Sequence, residues 1–214
     1  TERDSAQLTK RRSGSTDSVI KEREPESLQN VTVGIAEVTY QSQIFEYLYK
    51  ENDTDENPQR RHISNILPTF ELDTEALYLT IPDTVKNRAK RITKVDHPFL
   101  GGIHGVEHLL RSLFPLEVLC ERDDIGGFSQ TAHPHTEQGT IFVYDNVPGG
   151  VGLSRTAFTK IESLLKRAYD LVASCGCKHG CPRCIHSPRC QIGNRGLHKD
   201  LTRLTLEWIS SAGL

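Results

Sequence analysis

Two spacings of apolar residues along this chain predict two kinds of secondary structure. Val31, Val33 and Ile35 alternate with polar or small residues, and a β-branched and aromatic run continues through Tyr40. Alternation with a period of two is typical of half-buried strands. The pattern predicts strands from residue 31 towards residue 49, at residues 70–81 and at residues 140–144.

Apolar residues at three- and four-residue intervals predict three helices. The first carries an apolar face, and we expect Pro115 to end it; the face comprises Ile103, Val106, Leu109, Leu110, Leu113 and Phe114. The second begins near Ser154, whose hydroxyl is expected to cap it, and carries Phe158, Ile161, Leu164, Leu165, Ala168 and Leu171. The third spans about residues 198–210. Strands and helices together predict an α+β fold, a small β-sheet with packed helices.

Two segments are too polar to contribute to a core. Residues 1–28 combine Ser, Thr, Gln and mixed charge, and we expect them to form a polar linker or a disordered segment. Residues 51–61 are expected to form a polar loop. The remainder, residues 29–214, is expected to fold as one domain that ends in a cysteine-rich zinc-binding segment, residues 175–190.

Composition excludes a membrane protein. The chain has 214 residues, of which 36% are hydrophobic and 25% charged, and no apolar run approaches the roughly 18 to 20 residues needed to span a bilayer. The N-terminal residues lack the apolar core of a signal peptide. We therefore expect an intracellular protein, nuclear in a eukaryote and cytoplasmic in a prokaryote. Because the chain starts at Thr1 and contains no methionine, we interpret it as the C-terminal piece of a larger protein.

Five of the six cysteines lie within sixteen residues, and this density indicates a metal site. The most compact set of four sulfur ligands is Cys175, Cys177, Cys181 and Cys184; the main alternative replaces Cys175 or Cys177 with Cys190. Four thiolates around zinc leave no open position, so the predicted ion is structural. An iron–sulfur cluster uses the same ligands, and the spacing leaves that alternative open.

The charge is distributed unevenly. The net charge is −2, but basic residues dominate the cysteine-rich segment and the residues after it. We predict nucleic-acid contacts at Lys178, Arg183, Arg189, Arg195 and Lys199, because a local positive patch attracts phosphate. A second basic run spans residues 86–94.

Three further patterns suggest other chemistry. His104-Gly-Val-Glu107-His108 matches H-x-x-E-H, in which two histidines one helical turn apart bind zinc and the glutamate activates water. The sequence supplies no clear third ligand, and histidines that pack in a partly buried helix explain the motif as well. The glycine-rich turn at residues 148–152 resembles an anion cradle. Asp123, Asp124 and Asp145 are candidate Mg²⁺ ligands, although Asp145 is better explained as fixing that turn.

Several motifs in fixed order resemble the MrfA zinc-binding (MZB) domain. The order is the Glu107-His108 helix, Cys-Glu-Arg-Asp-Asp-Ile-Gly-Gly at residues 120–127, Phe-Val-Tyr-Asp-Asn-Val-Pro-Gly-Gly-Val-Gly-Leu at residues 142–153, Cys-x-Cys-x-x-Gly-Cys-Pro-x-Cys at residues 175–184, Ser187-Pro-x-Cys190, Asn194 and Leu197-x-Lys199. The resemblance covers roughly residues 65–210.

The resemblance implies an accessory domain of an ATP-dependent 3′-to-5′ DNA helicase of superfamily 2 that acts in DNA repair. It also implies structural zinc held by the cysteines, a DNA partner, single-stranded or forked, and no catalysis by the domain itself. Similar domains also occur apart from a helicase, so the motor is expected on the same chain or on a partner chain. Two alternatives remain, a zinc-stabilised protein-interaction module without DNA contact and an H-x-x-E-H zinc hydrolase.

Overall fold

The computed structural model describes residues 12–13, 26–28, 31–44, 46–49, 59–62, 70–190 and 192–209. The strands are β1 Arg12–Ser13, β2 Glu26–Leu28, β3 Val31–Ile44, β4 Glu46–Tyr49, β5 Gln59–His62, β6 Phe70–Ile81, β7 Ile125–Gln130 and β8 Gly139–Asp145. The helices are α1 Asp83–Ile92, α2 Pro98–Val118, α3 Leu153–Phe158, α4 Ile161–Ser174 and α5 Lys199–Ile209. This arrangement confirms the α+β fold class.

The main sheet is antiparallel, with the strand order β1-β3-β6-β8-β7, and β2 pairs with β3 as well. Strands β3 and β6 form its longest pair, with Val33 opposite Leu79 and Ile35 opposite Leu77. Strands β4 and β5 form a separate antiparallel pair. The predicted strands are confirmed, and β7, which the apolar pattern did not predict, forms the edge next to β8.

Both faces of the main sheet are buried. On one face, Val33, Leu79 and Val143 pack against the helices in the larger core. On the other, Tyr40 stacks on Tyr144 with ring centroids 4.8 Å apart, within a second, aromatic cluster. Because both faces are buried, apolar residues occupy odd and even positions alike along these strands.

Helix α2 crosses the larger core and is buried along most of its length, including the polar residues His104, Glu107 and His108. Its predicted end at Pro115 is wrong, since the helix continues to Val118. Proline lacks the N–H that would bond to the Arg111 carbonyl, but its fixed φ is helical, so a final turn forms with one bond lost.

Helix α5 packs closely against α2 through glycines. A Cβ at Gly105 would overlap the side chain of Thr202, and one at Gly102 would press on Thr205. The Thr202 hydroxyl also donates to the Gly101 carbonyl at 3.4 Å. The predicted third helix is thus confirmed, and its close approach places the residues just before it beside the start of α2.

Other predictions differ from the structure. Residues 59–61, predicted as part of a polar loop, lie in β5. Within the polar N-terminal segment, residues 12–13 and 26–28 form the strands β1 and β2, because backbone pairing at a sheet edge requires no apolar side chain. The rest of those two segments falls outside the described residues. The second predicted helix is divided into α3 and α4. In the described part of the chain, no helix has the length and apolar character needed to cross a membrane.

Candidate metal centre

The sulfur atoms of four cysteines converge after the end of α4. Cys175 Sγ lies 3.5 Å from Cys177 Sγ and 3.6 Å from Cys181 Sγ, and Cys184 Sγ lies 3.5 Å from Cys177 Sγ and 3.8 Å from Cys181 Sγ. Zn–S bonds of about 2.3 Å in a tetrahedron place the sulfurs about 3.8 Å apart. A disulfide requires about 2.05 Å, and all four cysteines are free. The four sulfurs therefore have the spacing of a tetrahedral zinc site.

A tight turn shapes the second half of this four-cysteine cluster. The Cys181 carbonyl accepts hydrogen bonds from the amides of Cys184 and His186, at 2.9 and 3.1 Å. The Cys181 amide donates to Cys184 Sγ at 3.3 Å. Gly180 precedes the turn with φ of 110°, a left-handed conformation that favours glycine. Cys184 and Ile185 are buried in the larger core, so the turn is anchored to the rest of the fold.

The thiols of this cluster differ in acidity. The backbone amide and the thiol of Cys177 lower the pKa of Cys175 to about 7. Burial raises the pKa of Cys184 to about 12. Without a cation, neighbouring thiols cannot all ionise, and a divalent metal supplies the positive charge that four thiolates need.

Lys199 binds the backbone of the four-cysteine cluster from the first turn of α5. Its Nζ donates to the Cys177 carbonyl at 2.7 Å and also to the Cys175 carbonyl. The ammonium therefore holds the two carbonyls together and places positive charge next to the sulfurs. Lys199 was predicted to contact nucleic acid, but its hydrogen bonds are directed into the domain.

The other predicted nucleic-acid residues lie at the surface. Lys178, Arg183 and Arg195 are exposed, and Arg189 is exposed but paired with Asp123, with Nη1 2.5 Å from Oδ1. The second basic run lies on and after α1, where Arg88 lies over the Trp208 ring, with Cζ 5.9 Å from its centroid. Within the described residues, Lys178, Arg183 and Arg195 thus expose their charged groups to solvent and form no ion pair.

Cys190 lies apart from the four-cysteine cluster and beside α2. Its Sγ is 3.5 Å from His104 Nε2, and the rings of His104 and His108 meet edge to face with centroids 4.4 Å apart. Burial of Cys190 opposes ionisation, but the two imidazoles outweigh it and lower the pKa of the thiol to about 5. We call His104, His108 and Cys190 the His-His-Cys cluster.

The glycine-rich turn already encloses an anion from the chain itself. The Asp145 carboxylate accepts hydrogen bonds from the amides of Val151, Leu153 and Ser154, at 2.8, 3.1 and 2.9 Å. The Ser154 hydroxyl also donates to Asp145, at 2.6 Å, so Ser154 is not the predicted cap. Asp145 fixes the turn, as one of the two sequence interpretations held. Among the described residues, the groups able to hold a metal do not include Asp123, Asp124 and Asp145.

Sequence reasoning missed the His-His-Cys cluster. Two signals were present: an H-x-x-E-H motif without a third ligand, and a fifth cysteine without a place in a four-sulfur site. Neither signal identifies the partner of the other, because Cys190 follows His104 by 86 residues.

A small α+β fold with a tetrahedral set of four sulfurs defines this chain as a metal-binding domain, and comparisons with known proteins give its family. The MrfA Zn-binding domain family matches residues 106–185. An uncharacterized protein of Methanocaldococcus jannaschii is 31% identical over 100 residues, which cover 45% of this chain and 89% of that protein. The chain belongs to the MrfA Zn-binding domain family.

Other relatives are much longer proteins. The uncharacterized ATP-dependent helicase YprA of Bacillus subtilis is 33% identical over 119 residues, which cover 56% of this chain and 15% of the helicase. The crystal structure of the DUF1998 helicase MrfA bound to DNA has a TM-score of 0.66 and 24% identity, and the match covers 98% of this chain and 26% of that chain. The fold is therefore shared with part of a helicase. The match spans 15% of YprA and 26% of the MrfA chain.

Proposed function

We propose that this chain is the zinc-binding accessory domain of an ATP-dependent DNA helicase. The observation that carries the proposal is the 33% identity to YprA over 119 residues. The matched segment is 15% of that helicase. In this proposal the domain works inside the cell, supports the motor and contacts DNA, and the ATP-driven chemistry belongs to motor domains on the same chain or on a partner chain.

The zinc ion is structural in this proposal. Cys175, Cys177, Cys181 and Cys184 fill all four positions of a tetrahedron, which leaves none for water or substrate. The cluster also connects three parts of the fold: the end of α4, the buried Ile185 and the start of α5 through Lys199. Zinc binding therefore stabilises the packing of this end of the domain.

The DNA contacts are assigned to the exposed cations around this cluster. Lys178, Arg183 and Arg195 project from turns with no regular structure, where they are accessible to a phosphate backbone. The solved helicase structure with this fold contains DNA, which supports the assignment. Because such contacts are electrostatic, binding should weaken as salt rises and show little preference for sequence.

Fluorescence anisotropy with single-stranded and forked DNA at several salt concentrations tests the DNA contacts. The test variant replaces Lys178, Arg183 and Arg195 with Glu, and the control variant makes the same change at Arg88, Lys90 and Arg91 of α1. We expect the test variant to bind DNA more than about tenfold more weakly than wild type. On single strands, the slope of log K against log salt should become shallower by about two, because three phosphate contacts are lost. Equal affinity and slope for wild type and test variant would favour a protein-interaction module without DNA contact.

The role of the motor is tested in the whole protein that contains this chain. We expect ATP-dependent 3′-to-5′ unwinding of forked DNA, and a lower unwinding rate after Cys181→Ser because the domain loses its zinc. The proposed repair function predicts that cells carrying Cys181→Ser are more sensitive to a DNA-crosslinking agent. Unwinding at the wild-type rate by zinc-free protein would contradict a supporting role for the domain.

A further inference from the structure

Three metal-binding side chains outside the four-cysteine cluster meet at one point. His104 and His108 are on α2, Cys190 is in the loop before α5, and their potential ligand atoms all lie within 4.8 Å of one another. The 3.5 Å between Cys190 Sγ and His104 Nε2 agrees with the roughly 3.6 Å expected for two ligands of one tetrahedral zinc with bonds of about 2.3 and 2.05 Å. Thiolate and imidazole are both preferred zinc ligands.

The hydrogen bonding of His108 prepares its ring to bind a metal. Nδ1 lies 2.7 Å from the Ile185 carbonyl, an acceptor that fixes the proton on Nδ1. When the ring is neutral, the lone pair is on Nε2, which is buried beside the Cys190 thiol. A metal-binding histidine characteristically donates a hydrogen bond from the N–H of its other ring nitrogen to a carbonyl in this way. His108 is 2% exposed, so its ring is held inside the domain.

A simple thiolate–imidazolium pair leaves part of this arrangement unexplained. One imidazolium neutralises one thiolate, yet two buried histidines surround Cys190. One ion bound by the Cys190 sulfur and by one nitrogen of each ring would engage all three side chains at once.

We propose that His104, His108 and Cys190 bind a second zinc ion, separate from the ion of the four-cysteine cluster. These three ligands occupy three corners of a tetrahedron. The fourth corner opens onto a pocket of about 150 Å³ whose lining includes Glu107, Arg111, Ser129 and Gln130. A water molecule or a small anion from that pocket is the fourth ligand.

Glu107 is a neighbour of this second ion, not one of its ligands. Arg111 Nη1 donates to Glu107 Oε1 at 3.0 Å, and Glu107 Oε2 remains 3.9 Å from His104 Nε2. Two ligands of one zinc through nitrogen and oxygen lie about 3.3 Å apart. The ion pair with Arg111 therefore holds the carboxylate beside the open position. The third ligand that the H-x-x-E-H motif lacked is Cys190, which comes from another part of the chain.

Zinc content per chain tests the proposal and does not depend on the helicase assignment. Native mass spectrometry of protein purified with excess zinc and then desalted should find two zinc ions in wild type. His108→Asn and Cys190→Ser should each retain one, and Cys120→Ser, which removes a thiol outside both clusters, should retain two. Glu107→Gln should also retain two. One zinc ion in the folded wild type would overturn the second site, and loss of an ion in Glu107→Gln would overturn the open fourth position.

Thiol reactivity supplies a second measurement in case a variant folds poorly. In wild-type protein, iodoacetamide should modify Cys190 at least about tenfold more slowly after zinc is added to protein that retains only the ion of the four-cysteine cluster, because a coordinated thiolate is no longer free to react. Peptide mapping identifies the modified cysteine. An unchanged rate at Cys190 would mean that the cluster is a thiolate–imidazolium pair, and the proposal would fail.

Discussion

The two clusters of metal-binding side chains are assembled in different ways. All four sulfurs of the four-cysteine cluster come from ten consecutive residues, 175–184, which need only a tight turn to bring them together. The His-His-Cys cluster joins α2 to a loop 86 residues further on and forms only when the helices and that loop have packed. One cluster depends on local geometry and the other on the whole fold.

The same difference sets how each cluster should respond to change. A local cluster contributes its binding energy to a short segment and tolerates movement elsewhere. A cluster built from distant residues is sensitive to any change that moves one helix relative to another.

Cys181→Ser should have the largest effect. Loss of a structural metal is among the few mechanisms that cost more than about 4 kcal/mol in the free energy of unfolding, and we expect a loss of that size. Urea unfolding and zinc content measure it, with Cys120→Ser as the control. A variant as stable as the control would show that the four-cysteine cluster does not stabilise the fold.

Gly105→Ala should separate the two clusters. The added Cβ overlaps Thr202, so α5 must move away from α2, at a cost of about 2–3 kcal/mol. Zinc titration should show a larger loss of affinity at the His-His-Cys cluster, whose histidines are on α2, than at the four-cysteine cluster, where Lys199 of α5 binds two carbonyls. Gly176→Ala is the matched control, since a Cβ there meets nothing within 4 Å. Equal weakening at both clusters would remove the distinction.

Lys199→Met should affect the four-cysteine cluster selectively. The change removes two hydrogen bonds from an ammonium to the carbonyls of Cys175 and Cys177, and we expect a loss of about 2 kcal/mol in unfolding free energy. Competition with a chelator should show lower zinc affinity at that cluster alone. Lys178→Met, at an exposed position in the same segment, is the control and should change neither quantity.

Asn194→Gly should have the smallest effect, on the loop that carries Cys190. The Asn194 side chain accepts from the Ser187 amide at 2.8 Å and donates to the Ser187 carbonyl at 3.0 Å. Glycine keeps the left-handed φ of 61° but loses both bonds, which costs about 1 kcal/mol. Asn194→Ala should cost about 1 kcal/mol more, because alanine disfavours that φ. Chemical unfolding of the two variants checks this order.

The parts of the structure that the sequence predicted are set by residues close to one another in the sequence. Alternation at Val31, Val33 and Ile35 predicted β3, and cysteine spacing predicted the four sulfurs that converge. Asp145 shows where such local prediction fails. Its carboxylate replaces the expected serine cap, although it lies nine positions before Ser154, because the preceding strand ends beside the helix. Helix α1 was missed because only Val85 and Ala89 on it are buried, too few to set a period.

The assignment of Cys190 required the fold. In sequence it lies six residues after Cys184 and appears as a spare ligand of the same ion. In the structure, the turn after Ile185 directs it towards α2, where two buried histidines already lie. Distances between segments far apart in sequence are set by packing, and no local pattern records them.

X-ray absorption spectroscopy at the zinc edge of Cys190→Ser tests the separation of the two clusters most directly. This variant should retain one zinc ion, bound by four sulfurs at about 2.3 Å with no nitrogen ligand, because the four-cysteine cluster does not use Cys190. A nitrogen ligand in the remaining site, or a protein without zinc, would contradict a four-cysteine cluster that binds its ion independently of Cys190.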